Sequence, residues 1–261
     1  MPIEKVKADL GRLGHVASKV EARNWRHWLW ERSPRRPDLI DSLEFLRGLY
    51  LPGEKIFVFD RMDTKEERWT LELDDNNRCE VPAELYTGGQ GGGIWFLANP
   101  VDGRWHDTGL VNPETGKPRR SRRSAAAVTA FRYAVLESDL APAADWIAFL
   151  VQLPAKIAAI YTSGGRSIHA LLRIDAESKA DWDSQIQPLK RPLKRLGADP
   201  ACLSAVRLTR LPGCHRPEKE GFQKLIFLNP NPTACPIAEL PILDTRSALL
   251  NRWRAAEPAF A

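Results

Sequence analysis

The sequence predicts an α+β domain built on a mostly antiparallel sheet, and three observations carry that prediction. Residues 156–175, KIAAIYTSGGRSIHALLRID, are two β-rich runs joined at Gly164-Gly165, the pattern of a hairpin. Further short β-rich runs follow one another: KIFVFD (55–60) and RWTLELD (68–74), then AVRLTRLP (205–212) and QKLIFLN (223–229). The helical patterns stand before, between and after these runs and do not alternate strictly with them. That order argues against a doubly wound parallel sheet.

Composition sets the class. The chain has 261 residues, 43% hydrophobic and 27% charged, enough for a sizeable core in a soluble protein. No apolar run approaches the roughly 18–20 residues that span a bilayer, and MPIEKVKADL holds no signal-peptide core. No membrane partner is expected. Cys79, Cys202, Cys214 and Cys235 lie far apart without CxxC spacing, which suits a reduced, cytoplasmic protein. The net charge of +5 suits a polyanionic partner without demanding one.

In chain order, residues 4–32 read as helical, with Leu10, Leu13, Val16 and Val20 at helical spacing. Trp25, Trp28 and Trp30 at its end read as a packing face. RRPD breaks the pattern, and DLIDSLEFLRGLYL gives a second helix with an Asp at its start. KIFVFD and RWTLELD form a hairpin around RMDTKEE. TGGQGGG (87–93) is a glycine loop without the Lys-Ser/Thr of a P-loop, feeding the strand GIWFLANP. That strand reads either as following a flexible connector or as a substrate-proximal element ending at Asn99-Pro100. Residues 101–123 read as a polar, Gly/Pro/Arg-rich loop that ends in KPRRSRR, five basic residues in seven. Those charges suit a solvated loop and a phosphate-tracking one equally.

FRYAVLESDL (131–140) is a strand ending in two acids, and APAADWIAFLVQL a short amphipathic helix. Residues 176–199 carry Trp182, Ile186, Leu189, Leu193 and Leu196 as a helical stripe, with Pro188 and Pro192 expected to kink or split it. The last 20 residues read as a helix.

Alternation places Glu137 and Asp139 on one face of their strand, roughly 7 Å apart, where they could share a divalent cation. E-x-D alone favours the plainer reading, a strand end whose acids simply reach solvent. In SIHALLRI, Ile168, Ala170, Leu172 and Ile174 make one apolar face, and Ser167, His169 and Arg173 share the other with Leu171. His169 is therefore not a core histidine by pattern. It follows a turn whose amides at Gly164 and Gly165, with Ser163 and Arg166, could receive phosphate oxygens. Downstream, Asp199 precedes Arg207, Arg210 and Arg216, whose guanidinium groups suit phosphate. On an extended strand Arg207 and Arg210 face opposite sides. The cysteines and His215 fit no usual zinc spacing.

The succession VLESD, then YTSGGRSIHALLRID, then GAD leading to VRLTRLPG resembles the archaeo-eukaryotic primase (AEP) superfamily, and more narrowly the primase-polymerases (PrimPol) of plasmids, phages and mobile elements. Its three motifs are two acids one residue apart on a strand, a serine-x-histidine on a neighbouring strand, and a further acid. ESD fits the first with Glu137 where Asp is commoner, and SIH fits the second. Asp199 fits the third, with Asp175, Asp181 and Asp183 as rivals. The resemblance covers about residues 93–229. It implies an RRM-like antiparallel catalytic core over 51–240, an N-terminal helical extension over 1–50 and a C-terminal helix or tail over 241–261. It implies Mg²⁺ or Mn²⁺ on Glu137, Asp139 and Asp199. It puts the triphosphate of a dNTP or NTP on His169, Ser163, Ser167 and the Gly164–Arg166 turn, with Arg207 or Arg210 near the phosphates. Single-stranded DNA would then follow Lys117, Arg119, Arg120, Arg122, Arg123 and Arg216, and any replicative helicase would be a separate chain.

The activity so implied is a template-directed nucleotidyltransferase, a primase, a polymerase or both. The alternative is a non-catalytic single-stranded DNA or replication-origin binding module of the same fold. A metal nuclease lacks a clear general base here, and a rolling-circle nickase would want a His-x-His pair that the chain does not have.

Overall fold

The computed structural model describes residues 3–19, 25–61, 67–73 and 82–233. Its helices are α1 (Leu10–Ala17), α2 (Trp25–Arg32), α3 (Ser42–Leu49), α4 (Ala83–Thr87), α5 (Ala143–Leu150) and α6 (Lys179–Arg195). Its strands are β1 (Lys55–Phe59), β2 (Trp69–Glu72), β3 (Trp95–Leu97), β4 (His106–Val111), β5 (Pro118–Ser121) and β6 (Phe131–Glu137), followed by β7 (Ile157–Thr162), β8 (Ile168–Ala176), β9 (Leu208–Arg210), β10 (His215–Arg216), β11 (Gly221–Phe222) and β12 (Leu225–Leu228). Side-chain caps set several helix starts. Asp41 accepts from the Glu44 N–H at 2.8 Å, Asp9 from Arg12 at 2.9 Å and Ser178 from Asp181 at 3.1 Å.

Among the described residues eight strands form two four-stranded sheets, ordered β12-β7-β8-β6 and β2-β1-β3-β9, and β4-β5 and β10-β11 pair as two-stranded ribbons, with every pairing antiparallel. Alternation sorts the side chains into layers. From β6, Ala134 and Leu136 join the helices of the main core, including Trp146 and Phe149 of α5 and Trp182 and Leu189 of α6. Tyr133 and Val135 turn the other way, into a second core shared with Ile56, Val58 and Phe96 of the facing sheet and Phe45 and Leu49 of α3. The outer face of that facing sheet holds Phe57, Phe59, Trp95 and Leu208. Leu13 of α1 and Leu29 of α2 are fully buried in the main core, and Trp28 packs against it. No helix among the described residues is long and apolar enough to cross a membrane.

Several expectations change. The helical stretch 4–32 is two helices, with residues 20–24 outside the described residues. The 101–123 loop contains a hairpin, β4 against β5, whose residues are mostly exposed. Pro188 and Pro192 neither end nor split α6, which runs unbroken for 17 residues. Pro188 is exposed and Pro192 only half-buried, so the carbonyls they leave unpaired lie toward solvent, while Trp182, Ile186, Leu189 and Leu193 hold the buried side. The expected C-terminal helix over 241–261 lies outside the described residues.

Asn99 has a structural part at the end of its strand. It is fully buried, and its amide braces three segments: Nδ2 donates to the Tyr133 and Ala205 carbonyls at 3.0 and 2.9 Å, and Oδ1 accepts from the Arg132 and Tyr133 N–H groups at 2.8 and 2.7 Å. Asn99→Ala orphans all of these at once. It should cost about 3 kcal/mol, read as a lowered denaturant midpoint with unchanged slope.

Candidate active site

The two motifs read from the sequence interlock across strands. Glu137, the last residue of β6, is the cross-strand partner of His169 on β8, and His169 pairs in turn with Tyr161 on β7. This row lies on the face turned toward the second sheet. His169 is therefore buried, not surface-facing as its pattern suggested, because that sheet covers it. Its Nδ1 lies 2.9 Å from Glu137 Oε2 and 3.0 Å from Thr209 Oγ1. Thr209 Oγ1 is 2.7 Å from the Tyr161 hydroxyl, and the Tyr161 and His169 rings stack with centroids 5.6 Å apart. The tautomer that serves Glu137 carries its proton on Nδ1.

Asp139 stands apart from Glu137. The strand stops at Glu137, so Asp139 lies two residues past its end and is exposed, where Ser167 Oγ donates to its Oδ1 at 3.0 Å. Ser138 between them is buried and donates to the Gly197 carbonyl at 2.5 Å, tying this strand end to the segment that follows α6. Asp199 arrives by that route. Its N–H donates to the Glu137 carbonyl at 3.0 Å, and its side chain caps the short turn Pro200–Leu203 by accepting from Ala201 at 2.9 Å.

The rival acids lie elsewhere. Asp175 is near the far end of β8, paired with Arg173, and Asp181 and Asp183 sit in the first two turns of α6, bonded to Gln185 and Lys179.

Arg207 closes the acidic group. Its Nη2 lies 2.5 Å from Glu137 Oε1 and 3.7 Å from Asp199 Oδ2. The Cys202 thiol donates to the same Glu137 oxygen at 2.7 Å and lies 3.3 Å from Asp199 Oδ2. Burial alone would raise the Glu137 carboxyl, but His169, Cys202 and Arg207 more than reverse it and hold it well below the usual carboxylate range. Burial, reinforced by Glu137, pushes the Cys202 thiol far up, so it stays protonated.

Arg210 diverges from Arg207, as alternation requires. It stacks over Trp95 at 3.6 Å on the outer side of its sheet and bonds the Gly92 carbonyl, away from the Glu137–His169 row. Arg216 packs on the Gly164 turn, donating to the Ser163 carbonyl at 3.3 Å and pairing with Glu218. Gly164 has φ +74°, and a Cβ there would lie 3.0 Å from the Arg216 side chain, so the close fit needs glycine. Ser163 is buried and closes the turn, its N–H to the Ser167 carbonyl at 3.0 Å and its Oγ accepting from Gly165 at 3.3 Å. Gly165 and Arg166 are exposed at the tip.

The basic run divides in two. Lys117, Arg119 and Arg120 are exposed on the β4–β5 hairpin. Arg122 and Arg123 turn inward over Phe57 and Phe59, and Arg123 Nε donates to the Val206 carbonyl at 3.3 Å, rooting the hairpin beside Arg207. Sequence reasoning missed Thr209, Tyr161 and Cys202 as partners of the site. Alternation from Arg207 gives Thr209 the same facing, which is the one signal that could have found it.

Among the described residues, Glu137, Asp199 and Cys202 each present a ligand-type atom, all within 4.8 Å of one another. The Glu137 and Asp199 carboxylates are hard oxygen donors that fit a divalent cation such as Mg²⁺ or Mn²⁺, and Asp139 is outside this group. The protonated thiol is a soft donor and adds little to that fit.

Neither a family model nor a curated protein matches the chain. Among solved structures the chain is similar to the AEP domain of the cyanophage S-2L primase-polymerase, at 15% identity and a TM-score of 0.46, over 73% of this chain and 90% of that one. The likeness is distant, and no residue of the site is assigned from it.

Proposed function

We propose that this protein is a template-directed nucleotidyltransferase, a DNA primase, a DNA polymerase or both, acting on single-stranded DNA. The observation that carries the reading is the interlocked pair of motifs: Glu137 opposite His169, Asp139 bonded to Ser167, and Asp199 joined to the same strand end. Clustered acids repel a polyanion on their own, so a nucleic-acid protein gains from them only where a cation intervenes.

On this reading Glu137, Asp139 and Asp199 hold Mg²⁺ or Mn²⁺. The ion would lower the pKa of the attacking 3′-hydroxyl and offset the charge developing on the transferred phosphorus. His169, fixed through Nδ1 by Glu137 and Thr209, offers its other ring nitrogen to a phosphate oxygen. Ser167 orients Asp139, and the Gly164–Arg166 turn receives the remaining phosphates. Arg216, buttressing that turn, acts on the nucleotide side and not with the basic hairpin.

The hairpin follows the template. Lys117, Arg119 and Arg120 supply phosphate contacts, and half-exposed Trp105, whose carbonyl Arg120 holds at 2.8 Å, offers a face for a base to stack on. Arg119→Ala/Arg120→Ala should flatten the salt dependence of DNA binding by about 1 to 2 in log–log slope, measured by fluorescence anisotropy across salt concentrations.

One observation favours a second reading. Both oxygens of Glu137 are already engaged by the chain's own groups, the pattern of a satisfied structural ion pair, which suits a non-catalytic single-stranded DNA or replication-origin binding module. The test incubates the protein with single-stranded DNA, primed and unprimed, with Mg²⁺ or Mn²⁺ and labelled dNTPs or NTPs. Metal-dependent products support the enzyme. DNA binding without products under every condition supports the binding module.

A further inference from the structure

Arg207 stands where a cation would go. Its Nη2 reaches Glu137 at 2.5 Å and Asp199 at 3.7 Å, while Oε2, the other oxygen of Glu137, is held by His169. Two further observations mark this as a position sustained by the acids alone. The Nε of Arg207 is buried and has no hydrogen-bond partner among the described residues, an arrangement that folded proteins seldom leave in place without compensation. A second guanidinium, Arg123, is anchored at 3.3 Å on the carbonyl of Val206, the residue before Arg207, so like charges oppose each other there.

We infer that Arg207 is a built-in counter-cation that holds the acidic cluster closed and that an entering divalent metal must displace. The inference rests on the reading that Glu137 and Asp199 hold such a metal. Once a divalent cation neutralises the acids, Arg207 loses both partners, keeps an unsatisfied Nε and faces like charge from the metal and from Arg123. The only relief is to turn away from the cluster, which frees a planar fork suited to a phosphate. The apo site thereby avoids bare carboxylates at a cost in metal affinity. It also accounts for how a salt-bridged Glu137 can serve in a metal site.

The test measures Mn²⁺ binding by the electron paramagnetic resonance signal of the free ion, without DNA or nucleotide, for the wild type, Arg207→Ala and Arg207→Ala/Asp199→Asn. Arg207→Ala is expected to bind Mn²⁺ at least about tenfold more tightly than the wild type, with the gain lost in the double variant. It should also melt lower than the wild type without metal and recover more on adding Mn²⁺. A purely structural arginine would give the lower melting point but no gain in affinity. Binding that is unchanged or weaker in a folded Arg207→Ala overturns the inference. Asp199-dependent binding by the wild type would in that case leave the metal reading standing, whereas no Mn²⁺ binding by any variant overturns both. Should Arg207→Ala fail to fold, Arg207→Lys takes its place: a single ammonium cannot brace both acids, so tighter binding than wild type is expected and equal or weaker binding refutes the inference.

Discussion

Asp139→Ala is expected to lower metal-dependent nucleotide incorporation by about a thousandfold while leaving the protein folded. The two halves of that expectation come from one fact. Asp139 lies beyond the end of β6 in an exposed position, with Ser167 as its hydrogen-bond partner, so its removal opens no cavity and orphans no buried group. Stability should change by no more than about 0.5 kcal/mol. On the proposed reading this exposed carboxylate serves the metal and not the fold. Single-turnover incorporation and thermal melting on the same preparation separate the two effects. Full activity in the variant would remove Asp139 from the chemistry.

Glu137→Gln should behave in the opposite way, as a large loss of stability. Arg207 is 18% exposed and Glu137 9%, so the substitution leaves a guanidinium largely buried beside an uncharged amide and also weakens the bond to His169. The cost should be about 3 kcal/mol at pH 7. Its pH dependence has a definite sign. Burial would raise this carboxyl, but His169, Cys202 and Arg207 hold it well below its ordinary value. Its contribution is therefore fully present above the unfolded carboxyl pKa of about 4.3, and is lost as pH falls below that value and through the folded one. The gap between wild type and Glu137→Gln should narrow as pH falls below about 4. Denaturant midpoints across that fall measure it. A gap independent of pH would make Glu137 a packing residue whose charge contributes nothing.

The two sequence motifs were legible because antiparallel pairing has a fixed period. A Gly-Gly turn, an E-x-D strand and an S-x-H strand lie in register once the strands neighbour each other, and Glu137 does meet His169 while Asp139 meets Ser167. What the sequence concealed depends on the second sheet. His169 reads as surface-facing because nothing local says that Thr209 and the β9 edge will cover it. Arg207 reads as a phosphate ligand because only the approach of β9 to the end of β6 turns it onto Glu137. The β4–β5 hairpin was hidden for another reason. It buries neither face, so it shows no apolar alternation, and Gly109, Gly116 and Pro118 give it the composition of a loop. The prolines of α6 mislead because propensity weighs less than a buried stripe when the broken hydrogen bonds point to water.

The most direct measurement follows labelled nucleotide incorporation on primed single-stranded DNA over a Mn²⁺ titration, for the wild type and for Glu137→Ala/Asp139→Ala, with DNA binding recorded on the same samples. Products that rise with Mn²⁺ in the wild type and vanish in the variant, while both bind DNA, are the result expected of a metal-dependent nucleotidyltransferase. DNA binding by both proteins with no product from either would contradict it.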